Sequence, residues 1–531
     1  MSDEEKANGP DAIEKLHNLR ETARQGGGPE KAQKQHDRGK LTVRERLDLL
    51  FDENSFCEVG ILGGDEFDNP DADGVVAGYG KIEGRYAGVV AYDYTVKGGS
   101  MGQIGEEKAT RIREIVMKSK MPMIWLLDSG GARIDPKGKG SFGAGEENVE
   151  RAAMFANTGY LFKEESLMSG VIPLVGAMMG PGFAGTAYIP GLSDFVPMVK
   201  GTSFMGLGGP ALAKQVVGED ITENDLGGSK VHCEISGVGD LEVESDEECI
   251  QAIRDYLSFF PPNCSEKPPR KEFPGDPTEL IDDKINNIVP DNPRQAYNMH
   301  RLIKLLVDDG FFFEMKPKWA RNMITGLGRI GGYPLGIIAN NPMVYGGVID
   351  INASDKAARF IWLCDAFNIP LLFLSDVPGF MVGSKAEQSG IIRHGAKYIH
   401  AVAEATVPKF TIIVRKSYGA GYYAMCGKSF DPDLIVAYPM GEISVMGAEG
   451  MVSIFAKKIL DSASEEDRPG MVESMAESIK PYLKVKYPAA RAYIDDIIDP
   501  RESRKVLFQA LEFTKDKEVP RHDRKHGVYP V

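Results

Sequence analysis

Two stretches decide the fold: "MPMIWLLDSGGARI", residues 121–134, and "NIPLLFLSDVPGFM", residues 368–381. In each, a short apolar run ends at an Asp, and small residues follow. A continuous apolar run of this length reads as a strand buried on both faces. The glycines after it read as a tight turn or a place where the backbone meets a ligand. What precedes the runs is also alike. "KGGSMG" leads into the helical stretch "EEKATRIREIVMKSK", and "VYGGVID" leads into "SDKAARFIWLCDAFN". Gly98 lies 30 residues before Asp128, and Gly346 lies 30 before Asp376. Pro122 and Pro370 each stand 6 residues before their Asp, so both pairs share an offset of 248.

The likeness continues downstream. "SGVIPLVGAMMGPGFAGTAY" corresponds to "EATVPKFTIIVRKSYGAGYYA", and "SFMGLGGP" to "SVMGAEG", with Met205 and Met446 offset by 241. Three matches in one order at nearly constant offset point to internal duplication. Short strands alternating with helical stretches make each copy α/β. The expected organisation is a charged helical arm (1–40), a first domain (41–265), a Pro-rich linker (266–290) and a second domain (291–531). The linker is placed by "FFPPNCSEKPPRKEFPGDPTEL", residues 259–280, where proline and charge work against a packed core.

Composition narrows the function. The chain has 531 residues and a net charge of −15, which argues against nucleic acid and anionic membranes as partners. Residues 170–192 carry no charge, but six Gly and three Pro suit strand and turn better than a membrane span. The N-terminus is charged in both signs and resembles neither a secretory signal nor a transit peptide. The six cysteines form no CxxC pair and have no His at metal-ligand spacing, so reduced thiols, no metal and a cytoplasmic setting are expected. No GxSxG nucleophile elbow, P-loop or HExxH is expected.

The chemistry these residues offer lies in the main chain. A helix that opens after a strand-end glycine turn presents unpaired N–H groups. Aimed at a carbonyl oxygen that gains charge, they form an oxyanion hole. The candidates in the first copy are the amides at Gly131–Ala132 and Ala184–Gly185; in the second, Gly379–Phe380 and Ala420–Gly421. Two such holes suit group transfer between two carbonyl-bearing partners. The plainer reading of any one cluster is a tight turn. Among side chains, His394 reads as a satisfied helical histidine and Cys426 as a core thiol. Arg133 pairs either with a phosphate or with Asp128.

Longer stretches then carry a resemblance. "GKLTVRERLDLLFD", "YTVKGGSMG", "DSGGARI", "MGPGFAGTAY" and "EDITENDLGG" resemble the N-terminal half of the carboxyltransferase (β) subunits of biotin-dependent acyl-CoA carboxylases. "LCDAFNIPLLFLSDVPGFMVG", "GIIRHGAKYIHAVAEATVPKFTIIVRKSYGAG" and "ISVMGAEG" resemble the C-terminal half. The resemblance covers roughly residues 35–531. It implies two tandem crotonase-like (ClpP/crotonase) domains and a homohexamer, a trimer of dimers. Active sites then form where one subunit's N-terminal domain meets its partner's C-terminal domain. It implies an acyl-CoA thioester in the first hole, bordered by Gly98, Gly99, Ser100 and Arg133, and the biotin ureido carbonyl in the second. With no AMKM-like biotinylation site and no ATP-binding carboxylase region here, the resemblance implies separate biotin carboxylase and biotin carrier subunits, or one fused α subunit that holds both. Carboxybiotin releases CO2, the biotin ring nitrogen takes the acyl α-proton, and the thioester enolate attacks CO2. The same step reversed would serve a methylmalonyl- or glutaconyl-CoA decarboxylase, and a non-catalytic acyl-CoA-binding homologue would keep only the first hole's ligand. Two departures bear on the substrate. "GPGFAGTA" replaces the "GPCAGGA" of propionyl- and acetyl-CoA members, and Tyr423 stands where propionyl members carry Asp, as in methylcrotonyl- and geranyl-CoA carboxylases.

Overall fold

The computed structural model describes residues 10–64, 73–131, 159–520, 524 and 526–530. The chain divides into two compact units, Met1–Glu266 and Lys267–Val531. The first holds eight strands: β1 (Cys57–Val59), β2 (Val75–Ile82), β3 (Arg85–Tyr92), β4 (Met123–Ser129), β5 (Leu174–Phe183), β6 (Pro197–Val199), β7 (Phe204–Gly206) and β8 (Leu241–Val243). They pair in the order β1-β2-β3-β4-β5-β6-β8, with β7 on the far end of β5. The second unit repeats this with β9 (Phe313–Met315), β10 (Met323–Ile330), β11 (Tyr333–Asn340), β12 (Leu371–Val377), β13 (Lys409–Tyr418), β14 (Leu434–Ala437), β15 (Glu442–Ser444) and β16 (Asp496–Ile497). Their order is β16-β14-β13-β12-β11-β10-β9, with β15 on β13.

The duplication therefore holds down to the register. Gly88 of β3 pairs in parallel with Met123, and Gly336 of β11 with Leu371, both pairs separated by 248 in number. β2–β3 and β10–β11 are hairpins turned at Glu83–Gly84 and Gly331–Gly332, all four residues at positive φ, as two-residue primed turns require. From β3 and β11 onward the strands run parallel, and parallel pairing needs a crossover. Helices Gln103–Ser119 and Ile351–Ala366 supply it. Every residue of β4 and β12 is buried, the outcome expected of continuous apolar runs covered on both faces. The uncharged run 170–192 becomes β5 and the helix Gly185–Leu192. No helix among the described residues is long and apolar enough to cross a membrane.

Two segments differ from expectation. The arm, expected to be solvated, is docked at its end: Gly27 N–H donates to Thr95 Oγ1 (3.0 Å), and Gln35 and Lys40 are buried. The boundary between the units falls at the start of the expected linker, and from Lys267 on that stretch belongs to the second unit. Its "ELIDDKINNIV" portion places Ile281, Ile285 and Val289 in that unit's core, against Met299, Leu302 and Leu306. Proline and charge dominate the composition there, but three apolar residues suffice to anchor it.

Candidate active site

The parallel ladder breaks at the same place in both units. Between β4 and β5 the register runs Leu127 with Met178, then Ser129 with Gly182. Between β12 and β13 it runs Ser375 with Ile413, then Val377 with Ser417. One Asp thus faces three residues across the ladder, a bulge that splays the strand ends. Asp128 and Asp376 fill the gaps, and both are fully buried. Matching the two breaks sets β5 against β13 at an offset of 235, which pairs Gly180 with Arg415.

That pairing explains how each buried carboxylate is neutralised. In the second unit Arg415 Nε and Nη2 lie 3.1 and 3.0 Å from Asp376 Oδ2, and Lys416 N–H donates to Oδ1 (3.1 Å). Burial pulls the Lys416 ammonium below the ordinary lysine range, against the attraction of Asp376. In the first unit Gly180 leaves no cation on the strand. A Cβ there would stand 1.9 Å from Asp128 Oδ1. The charge comes instead from Lys40 Nζ at 2.6 Å and Arg46 Nη1 at 3.0 Å, with Gln35 Nε2 at 3.4 Å. Arg46 also binds Asp246 through Nε at 2.7 Å and sits in a helix, Val43–Leu50, whose Thr42–Glu45 capping box fixes its start. Burial lowers the Lys40 pKa, opposed by Asp128, whereas Arg46 is held above its ordinary value by Asp128 and Asp246 despite burial.

Glycine turns close over these bulges. A Cβ on Gly99 would meet the Asp128 carbonyl at 2.3 Å, and one on Gly347 the Asp376 carbonyl at 2.7 Å. Gly130 N–H donates to the Gly98 carbonyl (2.9 Å), and Ser129 Oγ to that of Gly99 (2.7 Å). Gly98 and Gly99 are thus held against the strand end, both at positive φ. Ser100 does lie in a Gly-x-Ser-x-Gly spacing, Gly98 to Gly102, against the expectation that none occurs. Its extended backbone (φ −69°, ψ 137°) lacks the strain of a nucleophile elbow, and its Oγ donates to the Lys97 carbonyl.

The candidate amides divide into used and unused. Gly131 N–H donates to Ser129 Oγ (3.1 Å), and Ala184 N–H to the Gly206 carbonyl (3.0 Å). Ala184 is therefore no donor to a ligand. Its counterpart is Gly419, whose N–H donates to the Ser444 carbonyl (2.9 Å); both residues sit at positive φ, 52° and 56°. The open pair in the first unit is one residue further on, at Gly185 and Thr186, matching Ala420 and Gly421. The N–H groups of Gly185, Thr186, Gly379, Phe380, Ala420 and Gly421 have no acceptor among the described residues. Gly421 brings the second unit's two turns together: a Cβ there would stand 3.2 Å from Gly379 Cα. The Phe380 ring packs on Gly395, whose Cβ would meet it at 3.0 Å. Ala132, Arg133 and the stretch to 158 lie outside the described residues.

The flanking side chains are aromatic. Tyr423, on the helix Ala420–Ala424, is 46% exposed and lies near Tyr422 and Phe430, with ring centroids at 6.0 and 6.2 Å. Its counterpart Tyr188 meets Phe162 edge-on at 5.8 Å, and Phe162 faces Gly185. Neither pair was anticipated beyond Tyr423. His394 is tied through Nδ1 to Asp355 (2.8 Å) and through Nε2 to Arg393 (3.1 Å). Cys426 is fully buried, and burial pushes its thiol up to about 12, so it carries no thiolate at neutral pH. The geometry thus offers paired backbone donors at two equivalent strand ends and an unreactive thiol beside them.

The chain is similar to known proteins in sequence and overall fold. Residues 34–529 match the family model for the carboxyl transferase domain. The chain is 41% identical over 526 residues to the alpha subunit of methylmalonyl-CoA decarboxylase from Veillonella parvula, covering 98% of this chain and 99% of that one. It is 40% identical over 532 residues to the carboxyltransferase subunit of propionyl-CoA carboxylase from Haloferax mediterranei, again covering 98% and 99%. The solved structure of transcarboxylase 12S, described as a hexamer with methylmalonyl-coenzyme A bound, superposes with a TM-score of 0.89 at 37% identity over 98% of both chains. The two units are therefore tandem crotonase-like domains, and the chain belongs to the carboxyl transferase family, as a carboxyltransferase of the biotin-dependent acyl-CoA carboxylases and decarboxylases.

Proposed function

We propose that this chain moves a carboxyl group between biotin, borne on a separate subunit, and a short acyl-CoA, with propionyl- and methylmalonyl-CoA as the substrate pair. The observation that carries the reading is the equal placement of open amide pairs, Gly185–Thr186 and Ala420–Gly421, at the two splayed strand ends. Two holes serve two carbonyls. The names of the two relatives connect one pair of molecules: propionyl-CoA carboxylase forms methylmalonyl-CoA, and methylmalonyl-CoA decarboxylase consumes it.

In the first unit the amides of Gly185 and Thr186, with Ala132, would hold the thioester oxygen as it gains enolate charge. Gly98, Gly99, Ser100 and Arg133 would border the CoA ester. In the second unit Gly379, Phe380, Ala420 and Gly421 would hold the ureido oxygen of biotin. A Cβ at 421 would stand 3.2 Å from Gly379 Cα, so glycine there lets the two turns that carry these amides approach each other. Bound biotin supplies a ring nitrogen that carries the carboxyl group and accepts a proton. The chain's contribution is then to orient the two carbonyls and to stabilise charge with fixed dipoles. The partner bearing biotin sets the direction of net flux. We place the chain in a homohexamer, the assembly named for transcarboxylase 12S.

The test offers the purified chain methylmalonyl-, malonyl-, 3-methylglutaconyl- and glutaconyl-CoA with free biotin. The expected result is biotin-dependent CO2 release, fastest from methylmalonyl-CoA. Faster release from 3-methylglutaconyl-CoA would move the substrate to the methylcrotonyl class that Tyr423 resembles. CoA binding without release from any ester would overturn the reading.

A further inference from the structure

The two units solve one electrostatic problem in different ways. Each has a fully buried Asp in the bulge between two strands whose ends carry the amide turns. The second unit neutralises Asp376 from the neighbouring strand itself, through Arg415. The first unit has Gly180 at the corresponding place and no side chain to offer. Its cations come from the segment before the first strand, Lys40 and Arg46, 88 and 82 residues away in sequence. Arg46 also reaches the Met179 carbonyl through Nη2, at 3.5 Å, so it touches both edges of the bulge.

We propose that Lys40 and Arg46 are positioning residues of the first amide site, a cationic wedge that fixes the gap between β4 and β5 and so sets the distance between the 129–131 turn and the Gly185–Thr186 amides. The role rests on the functional reading above for what those amides do. Three features carry it. The carboxylate is bound at 2.6 and 3.0 Å with no solvent access, so its position follows the cations. Gly180 lies against Asp128 so closely that a Cβ would stand 1.9 Å from Oδ1 and 2.9 Å from Lys40 Nζ, so the wedge and the strand are in direct contact. Ser129, the next residue, holds Gly131 N–H and the Gly99 carbonyl through its Oγ at 3.1 and 2.7 Å. A shift of Asp128 therefore moves the whole turn. Neither cation touches the reacting atoms in this scheme; both act through the backbone.

The test compares Lys40→Met with Lys40→Arg in biotin-dependent decarboxylation of methylmalonyl-CoA, with KM measured for each substrate and rates referred to folded enzyme. A turn misplaced by a fraction of an ångström predicts a kcat loss of about ten- to hundred-fold in Lys40→Met. KM for biotin should be unchanged, and Lys40→Arg should return to within about three-fold of the parent chain. Arg415→Met should show the mirror pattern, a kcat loss of about ten- to hundred-fold with KM for the CoA ester unchanged. A purely structural ion pair would instead lower the folded fraction and leave kcat per folded chain and both KM values in place, and that result would overturn the proposal. If Lys40→Met does not fold, Gly180→Ala carries the same test, because its Cβ displaces Asp128 without removing a charge, and the same two outcomes decide. A parent chain without turnover would overturn the functional reading and this proposal together, whereas an active parent with an unaltered Lys40→Met overturns the positioning role alone.

Discussion

Gly421→Ala asks the most of the smallest change. Gly421 is the second residue of the helix Ala420–Ala424 and has no positive φ, so its backbone accepts alanine without strain. Only the new methyl matters. It would stand 2.8 and 3.0 Å from the two γ-methyls of Val377 and 3.2 Å from Gly379 Cα, where carbon atoms settle at about 3.5–4.0 Å. Val377 is fully buried at the end of β12 and has little room to turn. The relief must come from the Gly379 turn or from the helix, by roughly half an ångström or more. Overpacking of this kind costs about 1–3 kcal/mol, of which alanine's better helix propensity returns up to about 1. The fold should survive, with Tm lowered by less than about 8 °C. Activity should not survive as well. Losing one donor to a charged oxygen costs about 2.7–4 kcal/mol, or a factor of roughly 100–1,000 in kcat. The assay is biotin-dependent decarboxylation of methylmalonyl-CoA, with binding of the CoA ester followed separately. The expected variant binds the ester normally and has lost at least about a hundred-fold in turnover. A variant within three-fold of the parent would refute the claim that these turns form a hole. A variant that loses ester binding and keeps its affinity for biotin would reverse the assignment of the two sites.

Three further outcomes can be checked. Glu165 is fully buried, and burial raises its carboxyl well above the ordinary 4.5, opposed by Arg113. The folded chain then keeps a proton that the unfolded chain loses above pH 4.5, so this group's contribution to stability falls as pH rises. Glu165→Gln should therefore raise Tm at pH 8 and give no gain at pH 4.5; parallel Tm curves across that range would contradict this. Ala184 holds φ 52°, ψ −117°, a conformation that costs a non-glycine residue about 1–3 kcal/mol, while glycine gives back about 0.4–1 through the unfolded chain. Ala184→Gly should leave the urea midpoint unchanged or raise it, and a lower midpoint would show that the alanine methyl packs favourably. Tyr423→Ala should change the ratio of kcat/KM between a bulkier and a smaller CoA ester by about ten-fold or more. A constant ratio would assign the ring to packing with Tyr422 and Phe430.

The strands, the glycine turns and the duplication were legible because each leaves a local or periodic mark. Apolar runs of strand length marked β4 and β12, and the equal spacing from Gly98 to Asp128 and from Gly346 to Asp376 reappears as equal register. What escaped was whatever depends on distant partners. Lys40 ends the charged arm and Arg46 lies just inside the first domain, and it is distant acids, Asp128 for both and Asp246 for Arg46, that make their burial possible. A signal was present, since aligning the copies leaves Gly180 where the second has Arg415, so a buried acid lacked its cation. The open amides were placed one residue early, at Ala184 rather than Thr186, because the length of a bulge cannot be counted from composition. Ile281, Ile285 and Val289 were passed over for a similar reason: a Pro-rich, charged background hides three side chains that a neighbouring core can take up.

The central claim is that this chain moves a carboxyl group between a CoA thioester and biotin, the first kind of amide site holding the thioester carbonyl and the second the ureido carbonyl. The most direct measurement supplies methylmalonyl-CoA labelled with 13C in its free carboxyl group, together with free biotin, and traps the products by methylation. The account predicts that the label appears as the methyl ester of carboxybiotin, that Lys40→Met and Gly421→Ala both suppress it, and that unlabelled propionyl-CoA forms alongside. Ester binding with no label on biotin, or CO2 released at the same rate without biotin, would contradict it.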